Sequence, residues 1–504
     1  MRAAVCVAAA AALAAAIALP SGARASDEKG FASLKAEYEK ASKKHDPDGV
    51  RDRRKLLLKF FDYLDQKACR KLLREALDEE DEADTRVAVV QVLGASPDPK
   101  DLDAIVKALA KDKLRGAAIA LGEGIACADP SGADASAQRA AELVAKAKGD
   151  VRLSLLEGVG ELGVASAYEP LVALGEKWLP EEHYLRNVAL GACGKEKAVE
   201  RLVADMKAST GLVRRGTVAG LARTGANESL AALTDALRDP DPRTVEIAAV
   251  ALGKAKHAPA ATAMADAMLT APLRVKLVLR AALAETLGKD VGLDPAAWRA
   301  VIEKKQPAPP PVAADEPKLP TFFGIPVASD RVVVVLDKSH SMAWNGRLTR
   351  CQEEIDRYLG SLDDKALFAV AACDRNLERF SDALTMGAAQ RTQAQAWVKK
   401  QLGGSGYDLK AGLASVLETY PEADTILLAT DSMPWGEGAA ETASEVLEVF
   451  HAANRTRAVR VHVAFVVPGG RLTTSEQEPE FEDRAFMLGL LAKGSGGTFV
   501  RVEK

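Results

Sequence analysis

One carboxylate and two hydroxyl groups at alternate positions follow a short apolar stretch in the last third of this 504-residue chain. The segment RVVVVLDKSHSM at 331–342 places Asp337, Ser339 and Ser341 directly after Val332–Leu336. Four valines and a leucine in a row are typical of a strand that is buried on both faces of a parallel sheet. Polar residues after such a strand lie where open α/β sheets bind ligands. The spacing predicts either a cation site or a hydrogen-bonded turn.

A second acid ends a second apolar stretch, because Asp431 follows TILLAT at 425–430. In a doubly wound sheet the first and fourth strands are neighbours, so Asp337 and Asp431 should project into one crevice. Two close carboxylates repel each other, and we expect no Lys or Arg at a fixed local spacing to neutralise them. A hard divalent cation would relieve the repulsion. Oxygen ligands without a His or Cys pattern favour Mg²⁺, with Mn²⁺ and Ca²⁺ as alternatives, over zinc.

Alternating strands and helices must position these acids. We predict strands near 332–336, 366–373, 425–430, 459–467 and 498–502, with a short edge strand near 377–380. We predict helices near 347–362, 388–402, 408–419, 439–454 and 481–493. This alternation predicts an α/β, doubly wound and mostly parallel sheet of the Rossmann-like kind. No G-x-G-x-x-G follows the first strand, which argues against a dinucleotide site.

The region 321–504 resembles a von Willebrand factor A (VWA) domain in the segments FFGIPVASDRVVVVLDKSHSM, TILLATDSMP and GSGGTFVRV. The resemblance implies a metal-ion-dependent adhesion site (MIDAS). In such a site Ser339 and Ser341 would bind the ion directly, and Asp337 and Asp431 would act directly or through water. An acidic side chain of a partner protein would complete the coordination of the ion.

Two positions depart from the family pattern. Alignment of the helix DLKAGLASVL puts Tyr407 where the family has a metal-binding Thr. Ser405 takes that place only if the loop is two residues longer than usual, and the sequence leaves both alternatives open. His340 stands where the family commonly has Gly, so we expect it to crowd the ion or to respond to pH near its reference pKa of about 6.5.

The region 83–303 contains seven Ala/Val/Leu-rich segments, each opening with Arg and closing on Gly. The arginines are Arg86, Arg115, Arg152, Arg186, Arg215, Arg243 and Arg274. The glycines are Gly94, Gly122, Gly163, Gly191, Gly225, Gly253 and Gly288, spaced by 28 to 41 residues. We predict left-handed helix caps at these glycines and expect the arginines to bond neighbouring carbonyls or acids. The pattern resembles HEAT repeats, which implies an all-α solenoid, with 26–82 as a charged helical cap.

The two ends of this solenoid adjoin segments of different composition. Arg2, an apolar run and small residues up to Ala25 predict a signal peptide at 1–25, with an uncleaved membrane anchor as the alternative. Prolines concentrate at 304–320 and predict a linker before the VWA domain at 321–504. No later segment could span a bilayer. We therefore expect the mature chain to be exported, periplasmic or extracellular.

The composition excludes some classes of function. A formal net charge of -4 provides no basic field for nucleic acid. Six histidines form no H-E-x-x-H pattern and give no partner for a nucleophile, so we predict that the protein is not an enzyme. The sequence favours an exported protein-interaction or adhesion protein with the solenoid as its scaffold. The alternatives are an assembly or maturation factor related to HEAT-repeat lyases, or a structural envelope protein with a degenerate VWA site.

Overall fold

The computed structural model describes residues 28–43, 47–80, 83–110, 115–128, 133–174, 177–303, 318–404, 406–432, 443–467 and 477–503. The predicted signal peptide and most of the predicted linker, 304–317, lie outside the described residues, and so does Ser405. The described residues of Pro272–Leu277 and Ala314–Lys504 form one compact unit, and those of Cys6–Ala271 and Val278–Ala313 form another. The domain boundaries drawn from the sequence stay predictions. None of the described helices combines the length and apolar character that a bilayer crossing demands.

The N-terminal region is all helical. Its helices are α1 Glu28–Ala41, α2 Pro47–Lys59, α3 Lys67–Glu79, α4 Ala83–Gly94, α5 Pro99–Leu109, α6 Arg115–Ala126, α7 Ala133–Val144, α8 Gly149–Leu162, α9 Tyr168–Val172, α10 Pro180–Gly194, α11 Glu196–Ala208, α12 Gly211–Thr224, α13 Leu230–Ala236, α14 Pro242–Lys254, α15 Ala261–Ala267, α16 Leu273–Leu287 and α17 Pro295–Ile302. Alternate helices stack on each other, since α4 packs on α6, α6 on α8, α8 on α10 and α10 on α12. This stacking is the pattern of a solenoid, consistent with the HEAT-like prediction.

The repeated glycines serve two different purposes. Left-handed caps are confirmed at three of them, where φ is positive: Gly163, Gly225 and Gly288. The prediction is wrong for four that lie within helices or at a helix end without a positive φ: Gly94, Gly122, Gly191 and Gly253. A Cβ added to Gly191 in α10 would lie 2.0 Å from the carbonyl oxygen of Gly220 in α12. Such glycines are therefore needed because the helix backbones approach closely.

Three of the repeated arginines bond groups inside the solenoid, as predicted, but the prediction is wrong for Arg274, which donates to the carbonyls of Asp424 and Ala458. Arg186 is buried and donates to backbone carbonyls of α9 and the turn after it. Arg152 donates to the Glu182 carboxylate at 2.9 Å. Arg215 donates to Asp241 at 2.8 Å. Because buried charges are stabilised by paired and hydrogen-bonded partners, these three arginines join neighbouring repeats.

The C-terminal region contains a two-stranded hairpin and a six-stranded sheet. The strands are β1 Thr321–Phe322, β2 Ile325–Pro326, β3 Arg331–Asp337, β4 Leu367–Cys373, β5 Leu377–Arg379, β6 Thr425–Thr430, β7 Arg460–Val466 and β8 Phe499–Val502. The helices are α18 Arg347–Gly360, α19 Ala388–Lys399, α20 Leu409–Thr419, α21 Ala443–Asn454 and α22 Gln477–Ser495. The sheet order is β5-β4-β3-β6-β7-β8, and all neighbours are parallel except β4 and β5. The predicted α/β doubly wound fold is confirmed. The β1–β2 hairpin was not predicted.

The valine run of β3 is buried because both faces of the sheet are covered. Val333 and Val335 belong to one apolar cluster, which includes residues of α20, α21 and α22. Val332, Val334 and Leu336 belong to the cluster on the other face, which includes residues of α18 and α19. A strand covered on both sides cannot alternate apolar and polar residues, which explains the uninterrupted run. The first polar residues that follow lie at the strand's carboxyl end.

Candidate functional site

The candidate site lies at the carboxyl ends of β3 and β6, where the strand order reverses. These two strands are parallel neighbours, with Leu336 opposite Ala429. One residue further on, Asp337 ends β3 beside Thr430, which ends β6 and precedes Asp431. The predicted neighbourhood of the two acids is therefore present in the fold. Parallel sheets bind ligands at such a reversal point.

Asp337 is fully buried and bonded through both of its oxygens. Its Oδ1 accepts from the backbone N–H of Ser339 at 2.7 Å. Its Oδ2 accepts from the hydroxyl of Thr430 at 2.6 Å. Burial and, second, the negative charge of Asp431 raise the pKa of Asp337 to about 7. In the absence of an added cation this carboxylate therefore binds a proton far more readily than an exposed one.

Asp431 is also buried, but it has a cationic partner. Its Oδ1 accepts from the Ser341 hydroxyl at 2.8 Å. Its Oδ2 accepts from Nη1 of Arg347, the first residue of α18. Burial raises the pKa of Asp431, and the charge of Arg347 opposes that rise. No Lys or Arg was expected at a fixed local spacing from either acid, and Arg347 reaches Asp431 instead through the packing of α18, from 84 residues away in the chain.

The two serines lie between the acids. Their hydroxyl oxygens, Oγ of Ser339 and Oγ of Ser341, are 3.1 Å apart. Asp337, Ser339, Ser341 and Asp431 thus form one hydrogen-bonded group across two strand ends. Lys338, which lies next to Asp337 in the sequence, instead pairs with Glu378 at 2.5 Å. Adjacency in the sequence therefore does not make Lys338 the counter-ion of Asp337.

The loop before α20 supplies Tyr407, whereas Ser405 lies outside the described residues. The phenol of Tyr407 donates to Thr430 Oγ1 at 3.1 Å. Burial raises the pKa of Tyr407 well above its usual value, so the hydroxyl keeps its proton. Gly404 donates its N–H to the Lys338 carbonyl at 2.6 Å, which holds this loop against the turn after β3. Tyr407 therefore reaches the site through Thr430.

His340 is exposed and contacts Trp344, with 5.2 Å between ring centroids in an edge-to-face arrangement. The sequence expectation that it crowds the ion or responds to pH stays a prediction. Both aromatic residues belong to a 3₁₀ segment, His340–Gly346, which connects the serines to α18. The segment includes Ser341 and ends directly before Arg347.

Sequence reasoning missed two residues of this site, Thr430 and Arg347. Thr430 could have been found because it immediately precedes Asp431 and is the last residue of an otherwise apolar strand. Arg347 carried a weaker signal: a cation in the first turn of a helix opposes the helix dipole, so its presence there indicates an acidic partner. Its partner could not be identified without knowing how α18 packs.

The donor set fits a hard divalent cation. Two carboxylates and two hydroxyls converge, and Mg²⁺, Mn²⁺ and Ca²⁺ are bound by oxygen atoms. Within the described part of the chain, no group of three or more His, Cys, Asp or Glu side chains forms a metal cluster. The acids of this site would therefore need the serine hydroxyls to complete a coordination shell. Asp337, Ser339, Ser341 and Asp431 are the residues that would hold the ion.

The cysteines take no part in a disulfide within the described residues. The structure describes five cysteines, and none of them is bonded to another: Cys69, Cys127, Cys193, Cys351 and Cys373. Cys373 ends β4 opposite Asp337, and its thiol donates to the Asp408 carbonyl. Cys351 is buried on α18, and burial raises the pKa of its thiol. Four of the five pack as small buried residues, and Cys127 is half-buried.

The fold and the position of the acids define a class, the doubly wound α/β domains with polar side chains clustered where the strand order reverses. The family model described as "von Willebrand factor type A domain" matches residues 330–466, so this segment is a VWA domain. VWA domains are generally interaction modules. No curated protein matches the chain.

Solved structures show partial similarity. A von Willebrand factor type A protein from Catenulispora acidiphila is 19% identical, over 35% of this chain and 40% of its own length, with a TM-score of 0.28. BatB from Bacteroides thetaiotaomicron is 18% identical, over 34% of this chain and 90% of its own, with a TM-score of 0.26. The CpcE–CpcF complex of phycocyanin lyase from Nostoc sp. PCC7120 is 19% identical, over 47% of this chain and 94% of that chain, with a TM-score of 0.29.

Proposed function

We propose that the VWA domain binds an acidic side chain of a partner protein through a divalent cation, with Mg²⁺ as the first choice and Mn²⁺ or Ca²⁺ as alternatives. Four side chains hold the ion directly or through water in this proposal: Asp337, Ser339, Ser341 and Asp431. One coordination position is left for the partner's carboxylate. The interaction therefore depends on the ion as well as on the partner.

One observation supports this function above the others. Two buried carboxylates lie at the ends of neighbouring strands and are linked through two serines: the Ser339 N–H donates to Asp337, the two serine hydroxyls bond each other, and the Ser341 hydroxyl donates to Asp431. Burying two like charges is unfavourable, and a doubly charged ion would convert that repulsion into attraction. The raised pKa of Asp337 has the same physical origin, since a proton relieves the repulsion when no ion does. The repulsion between the two carboxylates therefore favours the binding of positive charge at this site.

We also propose that the chain is exported and not catalytic, with the helical region as a scaffold. The serine hydroxyls support a binding role because they bond each other and Asp431 rather than a histidine base. The export part rests on the signal-like sequence at 1–25 alone. A periplasmic or extracellular location would also bring the domain into contact with millimolar divalent ions, the range that extracellular calcium modules use.

A second candidate is a structural protein whose VWA site is degenerate. The bond between Arg347 and Asp431 favours this candidate, because the guanidinium already neutralises one of the two acids. Such a protein should be indifferent to chelators. The proposed ion-dependent binding requires the opposite response.

Calorimetric titration of the full chain with Mg²⁺ tests the proposal. We expect binding heat from the wild type and none from Asp337→Ala. Asp382→Ala is the matched control, because it removes an acid that is 87% exposed in the same domain, and it should bind like the wild type. Absence of binding heat in the wild type would refute the role of the ion.

The same variants can then be used in an affinity capture to identify the partner. Immobilised wild-type chain is incubated with the exported fraction in Mg²⁺ and eluted with EDTA. A specific partner should elute from the wild type and from Asp382→Ala, and it should be missing from Asp337→Ala. A protein retained equally by all three in EDTA would favour the structural candidate.

A further inference from the structure

Arg347 enters the candidate site from the first turn of α18. Its side chain is buried, and Nη1 bonds Oδ2 of Asp431. Among the described residues, however, its buried Nε has no hydrogen-bond partner. Buried guanidinium nitrogens are normally all paired, and an unpaired one is unfavourable. The position of Arg347 thus combines one strong contact with one unsatisfied donor.

The backbone before Arg347 is a break between two helical segments. Trp344 has an extended conformation, with φ of -89° and ψ of 147°. Asn345 and Gly346 both have positive φ, 54° and 70°. Left-handed conformations are uncommon at non-glycine residues, and Asn is one of the few that adopt them readily, so this turn suits its sequence. Short segments of this kind can absorb large backbone changes.

The charges of the site determine how it interacts electrostatically with a divalent ion. Asp337 and Asp431 carry two negative charges when ionised. Arg347 supplies the positive charge that bonds Asp431, and the charge of Arg484 also acts on this carboxylate. A divalent ion bound to Asp431 would lie next to the Arg347 guanidinium on the same carboxylate. The two cations repel, and burial of the site strengthens that repulsion. Ion and guanidinium therefore compete for Asp431.

We infer that Arg347 is a tethered cation that holds Asp431 when no ion is bound and that a divalent ion displaces it. This inference rests on the proposed function of the site. The displaced guanidinium leaves Asp431 together with the start of α18, and the Trp344–Gly346 break accommodates the movement. Arg347 thereby sets the concentration of ion at which the site fills, and it couples ion binding to the position of α18.

Mg²⁺ titration of full-length Arg347→Gln against the wild type tests the inference. The neutral side chain should raise the Mg²⁺ affinity about tenfold, within the 5- to 150-fold range of typical coupling between two ligands. Arg350→Gln is the matched control on the same helix, because Arg350 bonds the Glu503 carbonyl and not Asp431. Its Mg²⁺ affinity should equal that of the wild type.

The outcomes separate the inference from the proposed function. If the wild type binds Mg²⁺ and a folded Arg347→Gln binds it equally or more weakly, the inference is overturned and the proposed function stands. If neither chain binds Mg²⁺, both are overturned. Binding by Arg347→Gln alone would also overturn both, because the ion would then fail to displace the guanidinium of the wild type.

A second measurement needs no variant. Hydrogen exchange of the wild type, followed by mass spectrometry over the peptide that contains Arg347–Cys351, is compared with and without Mg²⁺. Displacement of Arg347 should accelerate exchange at the start of α18. Slower or unchanged exchange on ion binding would overturn the inference even if Arg347→Gln does not fold.

Discussion

Replacing Asp337 by Asn should remove the pH dependence that the buried carboxylate gives to the stability of the VWA domain. The rise of the Asp337 pKa from its usual 3.8 to about 7 corresponds to about 4 kcal/mol against the ionised folded form. Asn has nearly the same shape. Its Oδ1 can accept from the Ser339 N–H, and its amide can donate to Thr430 when the Thr430 hydroxyl directs its own proton to the Ser432 carbonyl. We therefore expect little structural change.

The direction of the pH effect follows from the raised pKa. Since the folded state binds the proton more tightly than the unfolded state, the contribution of Asp337 to stability is fully present below pH 3.8 and is lost as the pH rises to about 7. Between pH 5 and pH 8, the stability of the wild type should fall by about 3 kcal/mol relative to Asp337→Asn. At pH 8 in EDTA, Asp337→Asn should be the more stable chain.

Hydrogen exchange of the full chain measures this difference locally. Peptides from β3 and β6 report the free energy of opening of the sheet, after correction for intrinsic exchange rates. Asp382→Asn is the control and should follow the wild type at every pH. Parallel profiles of the wild type and Asp337→Asn from pH 5 to pH 8 would refute the idea of a buried, charge-repelled carboxylate.

The same assay can be extended to the ion. At a Mg²⁺ concentration of about 100 times the dissociation constant, the wild type should gain about 2.7 kcal/mol at pH 8. Asp337→Asn should gain almost nothing. An equal gain in both chains would show that Mg²⁺ stabilises the protein elsewhere.

Two further substitutions probe the loop and the solenoid. Tyr407→Phe removes the bond to Thr430 and should lower the free energy of unfolding by about 1 kcal/mol. Calorimetry should show an unchanged Mg²⁺ affinity. A large loss of Mg²⁺ affinity would instead indicate that the phenol is an ion ligand. Gly191→Ala forces a methyl group against the Gly220 carbonyl and should cost about 3 kcal/mol or more by hydrogen exchange of α10. Gly489→Ala is the control, since nothing lies within 4 Å of the added Cβ. If Gly489→Ala lowered the stability as much as Gly191→Ala does, the packing explanation would be refuted.

Only part of the candidate site could be predicted from local sequence patterns. The sequence placed Asp337 and Asp431 at the ends of neighbouring strands because strand burial and chain direction follow from short patterns. It did not identify Arg347 as the partner of Asp431. A helix residue and the end of a distant strand come into contact only when the helix packs against the sheet. The residue spacing within either segment does not predict that packing.

The glycines of the solenoid show the same limit of prediction from local sequence. The repeat and the all-α architecture followed from periodicity, and Gly163 has the expected left-handed cap. Gly191 has another role, because its hydrogen atom faces the backbone of Gly220. Glycine supports a positive φ and a close approach equally well, so the residue type alone does not distinguish them.

By itself, the sequence determined the two kinds of architecture, the buried valine strand and the clustering of oxygen donors at its end. These features depend on interactions between residues that are close in the chain or that repeat regularly. The tertiary structure alone decided which cation meets Asp431, that Thr430 bonds Asp337, and that Tyr407 bonds Thr430. Those contacts join elements far apart in the chain, and their geometry depends on the packing of whole helices against the sheet.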